Sequence, residues 1–374
     1  MLSALAELDI DSFLRDYWQQ KPLLLRAKAG FDNPLSPQEL AGLALEDTVE
    51  SRIVEEKAGN WQLSNGPFTQ QDFDRALPWT LLVQGVDRYI EAVETLKQSI
   101  DFLPNWRFDD IMVSYAVDGG SVGPHFDYYD VFLLQGLGQR RWHVGQMCDH
   151  NTALRGGTEL RILSSFEHSA EYILNAGDVL YLPPGLAHWG IASGDCMTYS
   201  LGFRAPRINT LLSRWTDHVL EQLQADTFYA DQHALSQSRP GEITAAAVDA
   251  ARQQVLQALG DNKDPRWFGE LATEQNFGVD GLGLSEQLTA EQLQCATRVQ
   301  LEPDARLAWT ESDNKLLVFA SGATLETDKF LCDAIQALCS RGILCKSMLS
   351  QLLSHDQGKA LINALYQLEC ITVD

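Results

Sequence analysis

The feature that most constrains the fold is a run of short β-prone segments separated by tight turns between residues 110 and 203. Segments rich in β-branched and aromatic residues, bounded by Gly, Pro, Asp and Asn, are typical of strands joined by turns. Strands at this density predict an antiparallel barrel or a double-sheet jelly roll. The predicted strands are 111–117, 131–135, 141–144, 171–174, 179–182, 189–191 and 198–203, with turns at 118–120 and 136–138.

Three residues in this region have the types and spacing of metal ligands. His125 and Asp127 are two positions apart, so on a strand both side chains would leave the same face. His188 follows a Pro-Pro-Gly turn, and closure of a small barrel would bring it to the same mouth. Two histidines and one carboxylate form the facial triad of non-haem Fe(II) oxygenases, which leaves coordination positions open. The pair alone would also suit an ordinary half-buried strand, so the third residue carries the prediction.

Length and composition indicate a soluble intracellular protein. A chain of 374 residues with 45% hydrophobic content predicts two or three domains with a large core. No stretch resembles a signal peptide or a membrane span. Seven cysteines without a close C-x-x-C pair predict buried thiols in a reducing compartment, so we expect a cytoplasmic protein. The net charge of −23 disfavours direct nucleic-acid binding and would attract a basic protein, although acidity can also serve solubility alone.

The segments that flank the barrel are predicted to be mainly helical. Ser36 followed by Pro37 and Glu39 is a helix-start signal. Two long helices are predicted at 208–224 and 243–259, and they form either a bracing layer or a dimer contact. The last unit reads as helices with a small hairpin, like a winged helix. From residue 285 it carries twelve acidic and seven basic residues, so we expect a structural or protein-binding role rather than DNA reading.

Three other histidines have no carboxylate or histidine partner two residues away. They are His143, His150 and His168. We therefore expect each of them to be an ordinary surface or core residue. Tyr129 and Trp189 flank the predicted triad and are weaker candidates for substrate contact, since aromatic residues on barrel strands usually belong to the core.

Several motifs resemble those of the JmjC ribosomal oxygenases, and most closely the bacterial arginine hydroxylases of the YcfD type. They are the runs His125-Phe-Asp-Tyr-Tyr-Asp-Val-Phe132, Arg140-Arg-Trp142 and Gly177-Asp-x-Leu-Tyr-x-Pro-Pro-Gly-x-x-His188, together with Tyr17-Trp-Gln-Gln-Lys-Pro-Leu23 and Ser200-Leu-Gly-Phe-Arg-Ala-Pro206. The resemblance covers nearly the whole chain. It implies an α+β protein with a double-stranded β-helix barrel of the jelly-roll or cupin type, the JmjC fold. A helical segment and a C-terminal winged-helix-like domain would follow the barrel.

The resemblance also implies a domain division and an assembly. We expect a JmjC oxygenase domain at 1–206 with its barrel core at about 110–203, a helical dimerisation segment at 207–283 and a winged-helix-like domain at 284–374. Such proteins pair two chains through the helical segment, so we expect a homodimer.

Carried over position by position, the resemblance implies roles for individual residues. The iron ligands fall on His125, Asp127 and His188, the anchor for the distal carboxylate of 2-oxoglutarate falls on Arg140, and its hydroxyl partner falls on Ser114. The implied reaction uses Fe(II), 2-oxoglutarate and O2 to hydroxylate an arginine of the large-subunit ribosomal protein uL16. Arginine suits the anchor role because its guanidinium can bind a carboxylate through two parallel hydrogen bonds.

Some assignments stay open at this level. Asp118 is a further substrate-site candidate, but a plain turn would serve equally well there. The polar stretch 151–166 could border a substrate groove. Two other classes of function compete with the hydroxylase: a metal-dependent cupin enzyme that does not use 2-oxoglutarate, and a non-catalytic module that binds a ribosomal protein. An anchor at Arg140 distinguishes the hydroxylase from the first, and a complete metal triad distinguishes it from the second.

Overall fold

The computed structural model describes residues 2–57, 59–230, 239–274 and 287–374. The chain forms two compact units, Met1–Ala205 and Pro206–Asp374. The boundary predicted between residues 283 and 284 lies outside the described residues, so the three-part division stays a prediction. Among the described residues, no helix has both the length and the apolar character that a bilayer crossing requires. No disulfide joins any of the seven cysteines. The prediction that they are buried holds only for Cys196 and Cys370, because Cys295 and Cys345 are exposed and the other three are partly exposed.

The first unit is a jelly roll with short helices at its N-terminal side, as expected. All strand pairs in its sheet are antiparallel, in the order β1-β8-β6-β9-β5-β4-β2-β3 with β7 paired to β6. Within the described residues its strands are β1 (Leu23–Leu25), β2 (Ser51–Lys57), β3 (Asn60–Asn65), β4 (Trp79–Val83), β5 (Phe108–Ala116), β6 (Val131–Met147), β7 (Ala170–Asn175), β8 (Val179–Leu182) and β9 (Leu186–Phe203). Its α-helices are α1 (Ile10–Asp16), α2 (Pro37–Leu43) and α3 (Glu91–Glu94), with 3-10 helices at Gln70–Phe73, Val86–Arg88, Thr95–Ile100 and Asn105–Arg107.

The barrel is built around two long strands, β6 and β9, which pair with each other. The prediction of a turn at residues 136–138 is wrong, because β6 continues through it with shifts in register against β9. Gly138 has φ 65°, and a side chain there would overlap the carbonyl oxygen of Asp195. The glycines therefore allow a bulge that bends a continuous strand, rather than a reversal of the chain. The predicted strands 189–191 and 198–203 likewise merge into β9, with Gly194 at φ 73°.

The N-terminal helices pack onto this barrel through a shared aromatic core. The predicted start of α2 is confirmed: Ser36 and Glu39 form a reciprocal capping box with Pro37 in the first turn. Phe13 of α1 is 1% exposed, and its ring lies 5.0 Å from that of Tyr181 and 5.8 Å from that of Phe132. This packing holds β8 and the first part of β6 in place. β8 precedes His188 in the chain, and β6 follows His125 and Asp127.

The second unit contains the helical segment and the C-terminal module. Its two small sheets have the orders β14-β10-β15 and β11-β12-β13. Within the described residues its helices are α4 (Ile208–Gln222), α5 (Ala245–Asp261), α6 (Arg266–Thr273), α7 (Ala290–Cys295), α8 (Cys332–Arg341), α9 (Lys346–Leu353) and α10 (Asp356–Gln367), with a 3-10 helix at Lys329–Leu331. Its strands are β10 (Val299–Leu301), β11 (Leu307–Ser312), β12 (Lys315–Ala320), β13 (Ala323–Asp328), β14 (Ile343–Leu344) and β15 (Ile371–Val373).

Candidate active site

His125 and His188 face each other across a single β-bridge. Their backbones exchange two hydrogen bonds, from His125 N to His188 O (3.0 Å) and from His188 N to His125 O (2.8 Å). The expectation that His125 and Asp127 lie on a regular strand is wrong. The segment that connects β5 to β6 forms only isolated β-bridges, and these join it to β9. Pro124 has no N–H to donate, and Gly123 has φ 82°, so the ladder cannot continue. His188 is the third residue of β9.

The three predicted ligands converge on one point. Nitrogen or oxygen atoms of His125, Asp127 and His188 all lie within 4.8 Å of one another. His188 Nε2 is 3.6 Å from Asp127 Oδ2. The two imidazole centroids are 4.2 Å apart. The side chains therefore form a 2-His-1-carboxylate set of the kind that binds Fe(II) and leaves positions open.

The backbone sets the tautomer of both histidines. His125 Nδ1 is 2.9 Å from the carbonyl oxygen of Gly123, and His188 Nδ1 is 2.9 Å from that of Leu186. Because a carbonyl oxygen can only accept, each Nδ1 carries the hydrogen and each Nε2 keeps its lone pair for a metal ion. Burial, together with the neighbouring His125, lowers the pKa of His188 to about 4. The neutral imidazole is the form that ligates a metal.

Arg140 is a buried cation without a carboxylate partner. It lies on β6 and is 4% exposed. Nη1 donates to the hydroxyls of Ser114 and Thr198, at 3.2 Å each, while Nε has no partner. Burial lowers the pKa of Arg140. None of the ion pairs found in the described part of the chain includes Arg140. Since an uncompensated buried charge is costly, this arrangement fits an anion that binds there.

Two residues that sequence reasoning missed hold Arg140 in place. Thr198 Oγ1 accepts from Arg140 and donates to Gln135 Oε1 at 3.1 Å. Gln135 and Thr198 are directly paired across β6 and β9, so only the strand register brings them together. The guanidinium carbon also lies 5.5 Å from the ring centre of Trp142. An uncharged Thr and Gln on separate predicted strands gave no signal in the sequence.

The predicted ligands and the predicted anion anchor line one cavity. Its volume is about 360 Å³, and Ser114, Arg140 and all three metal-ligand candidates contribute to its wall. Tyr129 also lines it, and the negative charge of the nearby Asp127 raises the pKa of Tyr129. The polar stretch 151–166 contributes Leu160, Arg161 and Ile162.

Two weaker candidates lie elsewhere. Asp118 Oδ1 accepts a hydrogen bond from Gly194 N at 2.7 Å, so it fastens a turn to the bend of β9. Trp189 Nε1 donates to Ser121 Oγ at 2.9 Å, and its ring contacts His143 and Phe166. Neither residue is among the described residues that line the cavity. Their contact with a substrate stays a prediction.

The jelly roll with its 2-His-1-carboxylate set and anion pocket defines a metal-dependent oxygenase of the cupin class. Family models match the chain as a JmjC domain at residues 95–211 and as a ROXA-like winged helix at 266–371. A relative from Escherichia coli, ribosomal protein uL16 3-hydroxylase, is 39% identical over 278 residues, which is 72% of each chain. A probable ribosomal oxygenase from Haemophilus influenzae is 36% identical over 260 residues, or 67% of this chain and 64% of the relative. The chain belongs to the JmjC-domain ribosomal oxygenases.

Solved structures support the same conclusion over the whole length. The ribosomal oxygenase YcfD from Escherichia coli matches with a TM-score of 0.83 and 32% identity, over 98% of both chains. A structure of YcfD in complex with cobalt and 2-oxoglutarate matches with a TM-score of 0.84 over 98% of this chain and 99% of that one. The predicted resemblance and fold class are therefore confirmed, including the winged helix at the C-terminus.

Proposed function

We propose that this protein is an Fe(II)- and 2-oxoglutarate-dependent hydroxylase that modifies an arginine of ribosomal protein uL16. The observation that carries the proposal is that His125, Asp127 and His188 share one cavity with the buried, carboxylate-free Arg140. The Escherichia coli relative is a uL16 hydroxylase, and its YcfD neighbour binds 2-oxoglutarate with cobalt, which supports both the substrate and the cosubstrate. A ribosomal substrate also supports a cytoplasmic location.

The residues present fit the metal and the cosubstrate. His125 Nε2, Asp127 and His188 Nε2 would hold the iron from one face. Arg140 would bind the distal carboxylate of 2-oxoglutarate, with Ser114 and Thr198 keeping the guanidinium in position. Bound iron supplies the redox chemistry: O2 and 2-oxoglutarate are consumed, and one oxygen atom enters a C–H bond of the substrate. The apolar wall, which includes Val131, Leu133 and Trp142, restricts water around the reacting groups.

Two adjacent carboxyl-bearing residues lie in the same wall. Asp109 is half-buried and lines the cavity next to Asp110. One oxygen of Asp109 is 3.3 Å from Arg204 Nε, so this carboxylate already pairs with a guanidinium of the protein itself. Arg161 in the wall is occupied by the rings of Phe126 and Tyr128, 5.6 and 5.3 Å away. The net charge of −23 favours approach of a basic protein and disfavours nucleic acid.

Mass spectrometry of uL16 tests reaction and substrate together. Recombinant uL16 is incubated with the enzyme, Fe(II), 2-oxoglutarate and O2, and its peptides are compared with those from a reaction that uses Asp127→Ala. We expect one arginine peptide to gain the mass of a single oxygen atom only with the unmodified enzyme. Addition to a residue other than arginine would correct the target. No addition to uL16, despite bound iron and 2-oxoglutarate, would contradict the proposed substrate.

A further inference from the structure

A second cluster of potential metal ligands lies outside the candidate active site. Ligand atoms of His143, His168 and Glu171 all lie within 4.8 Å of one another. His143 Nδ1 is 3.5 Å from Glu171 Oε2, and the two imidazole centroids are 5.2 Å apart. Sequence spacing did not indicate this cluster, because the residues are up to 28 positions apart and the contacts depend on the pairing of β6 with β7.

The barrel separates this cluster from the catalytic cavity. Along β6, Arg140, Trp142 and Val144 are buried, while the alternating residue His143 points to the other face. His143 is directly paired with Glu171 on β7, so their side chains leave the same face of the sheet. His143, His168 and Glu171 do not line the cavity that contains His125, Asp127 and His188. The two ligand sets are therefore distinct.

Hydrogen bonds hold the segment that carries His168 against β6 without a bound ion. Gln146 on β6 donates to the carbonyl oxygen of Ser165 at 3.1 Å and accepts from Glu167 N at 2.9 Å. Ser169 donates from both its N–H and its hydroxyl to the carbonyl oxygen of Val144, at 2.8 and 2.9 Å. His168 lies between these anchors. Its backbone position is thus set before any ion binds, so ion binding needs to order only side chains.

We propose that His143, His168 and Glu171 form a second divalent-metal site, of the Zn²⁺ type, on the outer face of the barrel. Two imidazoles and one carboxylate suit Zn²⁺, which takes such ligands at about 2.0–2.2 Å and leaves a fourth position for water. Donor atoms around such an ion are about 3.3 Å apart, so small side-chain rotations would close the present spacing. His168 is exposed, and the Glu171 side chain is 38% exposed, so both side chains have room for these rotations.

One neighbouring cation competes for the same carboxylate. Arg141 Nε is 3.9 Å from Glu171 Oε1. This side chain is 51% exposed, and a surface pair at this distance contributes little stability. Its displacement by a divalent ion is therefore inexpensive. A bound ion would link β6, β7 and residues 165–169, and so fasten the segment that follows the cavity wall at Ile162.

Zn²⁺ titration of the full-length chain tests the site, with the triad disabled by His125→Ala and Asp127→Ala. We expect this background to bind one Zn²⁺ per chain in calorimetry or in competition with a chromophoric chelator. Adding His168→Ala or Glu171→Gln should weaken binding at least about 10-fold, since even changes around metal ligands have effects of this size. The matched control is His150→Ala, which removes an exposed histidine outside the cluster and should leave binding unchanged.

Thermal denaturation provides a second readout. Zn²⁺ should raise the Tm of the triad-disabled chain, because an ion that binds only the folded state stabilises it. The shift should disappear with His168→Ala, while circular dichroism confirms that each variant is folded. The proposal is overturned if the triad-disabled chain binds no Zn²⁺. It is equally overturned if affinity is the same after His168→Ala and Glu171→Gln.

Discussion

At the scale of single residues, Arg140 is the clearest link between structure and chemistry. Its charge is buried among two hydroxyls and an indole, and no carboxylate in the described residues compensates it. The sequence predicted this anchor only through the family resemblance, since an isolated strand arginine usually lies on the surface. Thr198 and Gln135, which fix its orientation, could not be predicted because their contact depends on the register of β6 and β9.

Replacing Arg140 should weaken the binding of 2-oxoglutarate and leave metal binding unchanged. Arg140→Ala removes a charge-assisted contact in a desolvated pocket, which costs on the order of 2–5 kcal/mol, or about 30- to several-thousand-fold in 2-oxoglutarate affinity. Arg140→Lys should restore only part, because an ammonium lacks the two-point fork. Arg141→Ala, on the exposed face of the same strand, is the control. Titrations of 2-oxoglutarate and of metal are the measurements, and an unchanged 2-oxoglutarate titration for Arg140→Ala would exclude it as the anchor.

Asp110 gives the first unit a distinctive pH dependence. Burial, followed by the charge of Asp109, raises the pKa of Asp110 to about 6, although Gln84 Nε2 and Gly85 N both donate to its Oδ2. A carboxyl whose folded-state pKa lies above its unfolded value destabilises the fold once it ionises. Its contribution therefore falls as pH rises from about 4 to about 6 and stays low above that range.

Asp110→Asn should consequently stabilise the protein at pH 7.5 and not at pH 4. The expected gain is on the order of 2–3 kcal/mol, because the pKa of Asp110 is about 6 in the folded chain rather than the ordinary 3.8. Asparagine can still accept both hydrogen bonds through its single oxygen. Denaturant unfolding at the two pH values measures the difference, with the exposed Asp74→Asn as control. An equal effect of Asp110→Asn at both pH values would show that the raised pKa is not its cause.

At the scale of elements, the sequence predicted most strands but misread how they join. Residues 131–135 and 141–144 are one strand, as are 189–191 and 198–203, because Gly138 and Gly194 bend strands that continue. In a sequence, glycine between two β-prone runs indicates a turn, and only the neighbouring strand reveals a bulge. The same limitation hid the cluster of His143 and His168, since neither has a ligand partner close in sequence.

Alanine substitutions at the two bends should distinguish the cost of backbone strain at positive φ from the cost of steric overlap with neighbouring atoms. Gly138→Ala and Gly194→Ala both place a side chain at positive φ, which costs about 1–2 kcal/mol. At Gly138 the new methyl group would also overlap Asp195 and Cys196, whereas at Gly194 it meets open space. We therefore expect Gly138→Ala to lose roughly 1–3 kcal/mol more in the free energy of unfolding. Equal losses in urea titrations would mean that β6 and β9 can separate at the bend without cost.

At the scale of the whole molecule, two helices of the second unit expose apolar side chains among the described residues. Leu212 and Leu220 on α4 are 52% and 61% exposed, and Val248, Val255 and Leu256 on α5 are also exposed. Several large apolar side chains exposed on neighbouring helices commonly mark an interface. We propose that a second copy of the chain covers these side chains, as the family resemblance implies.

Charged residues at this surface should produce monomers. Leu212→Glu with Leu220→Glu would place two carboxylates in the proposed interface, while Thr210→Glu adds a charge at an exposed polar position of the same helix. Val219 is unsuitable for this test because it is buried. Light scattering at micromolar concentration should give a dimer for the unmodified chain and Thr210→Glu, and a monomer for the double variant. A monomeric unmodified chain would contradict the proposal.

The register between β6 and β9 sets the distance between the metal ligands and Arg140, and so limits the length of oxoacid that can bind to both. His188 pairs with Val144, and Arg140 pairs with Ala192, so the two ends of the pocket are four residues apart on β6, or about 13 Å along the strand. Side-chain rotation can alter the gap between them only slightly, because Arg140 is fixed by hydroxyls and His188 by a carbonyl. The separation between the metal-ligand end and the anion-binding end of the pocket is thus set mainly by main-chain geometry. An oxoacid one carbon shorter or longer, such as oxaloacetate or 2-oxoadipate, should replace 2-oxoglutarate poorly in turnover assays, and efficient use of either would show that the spacing adjusts.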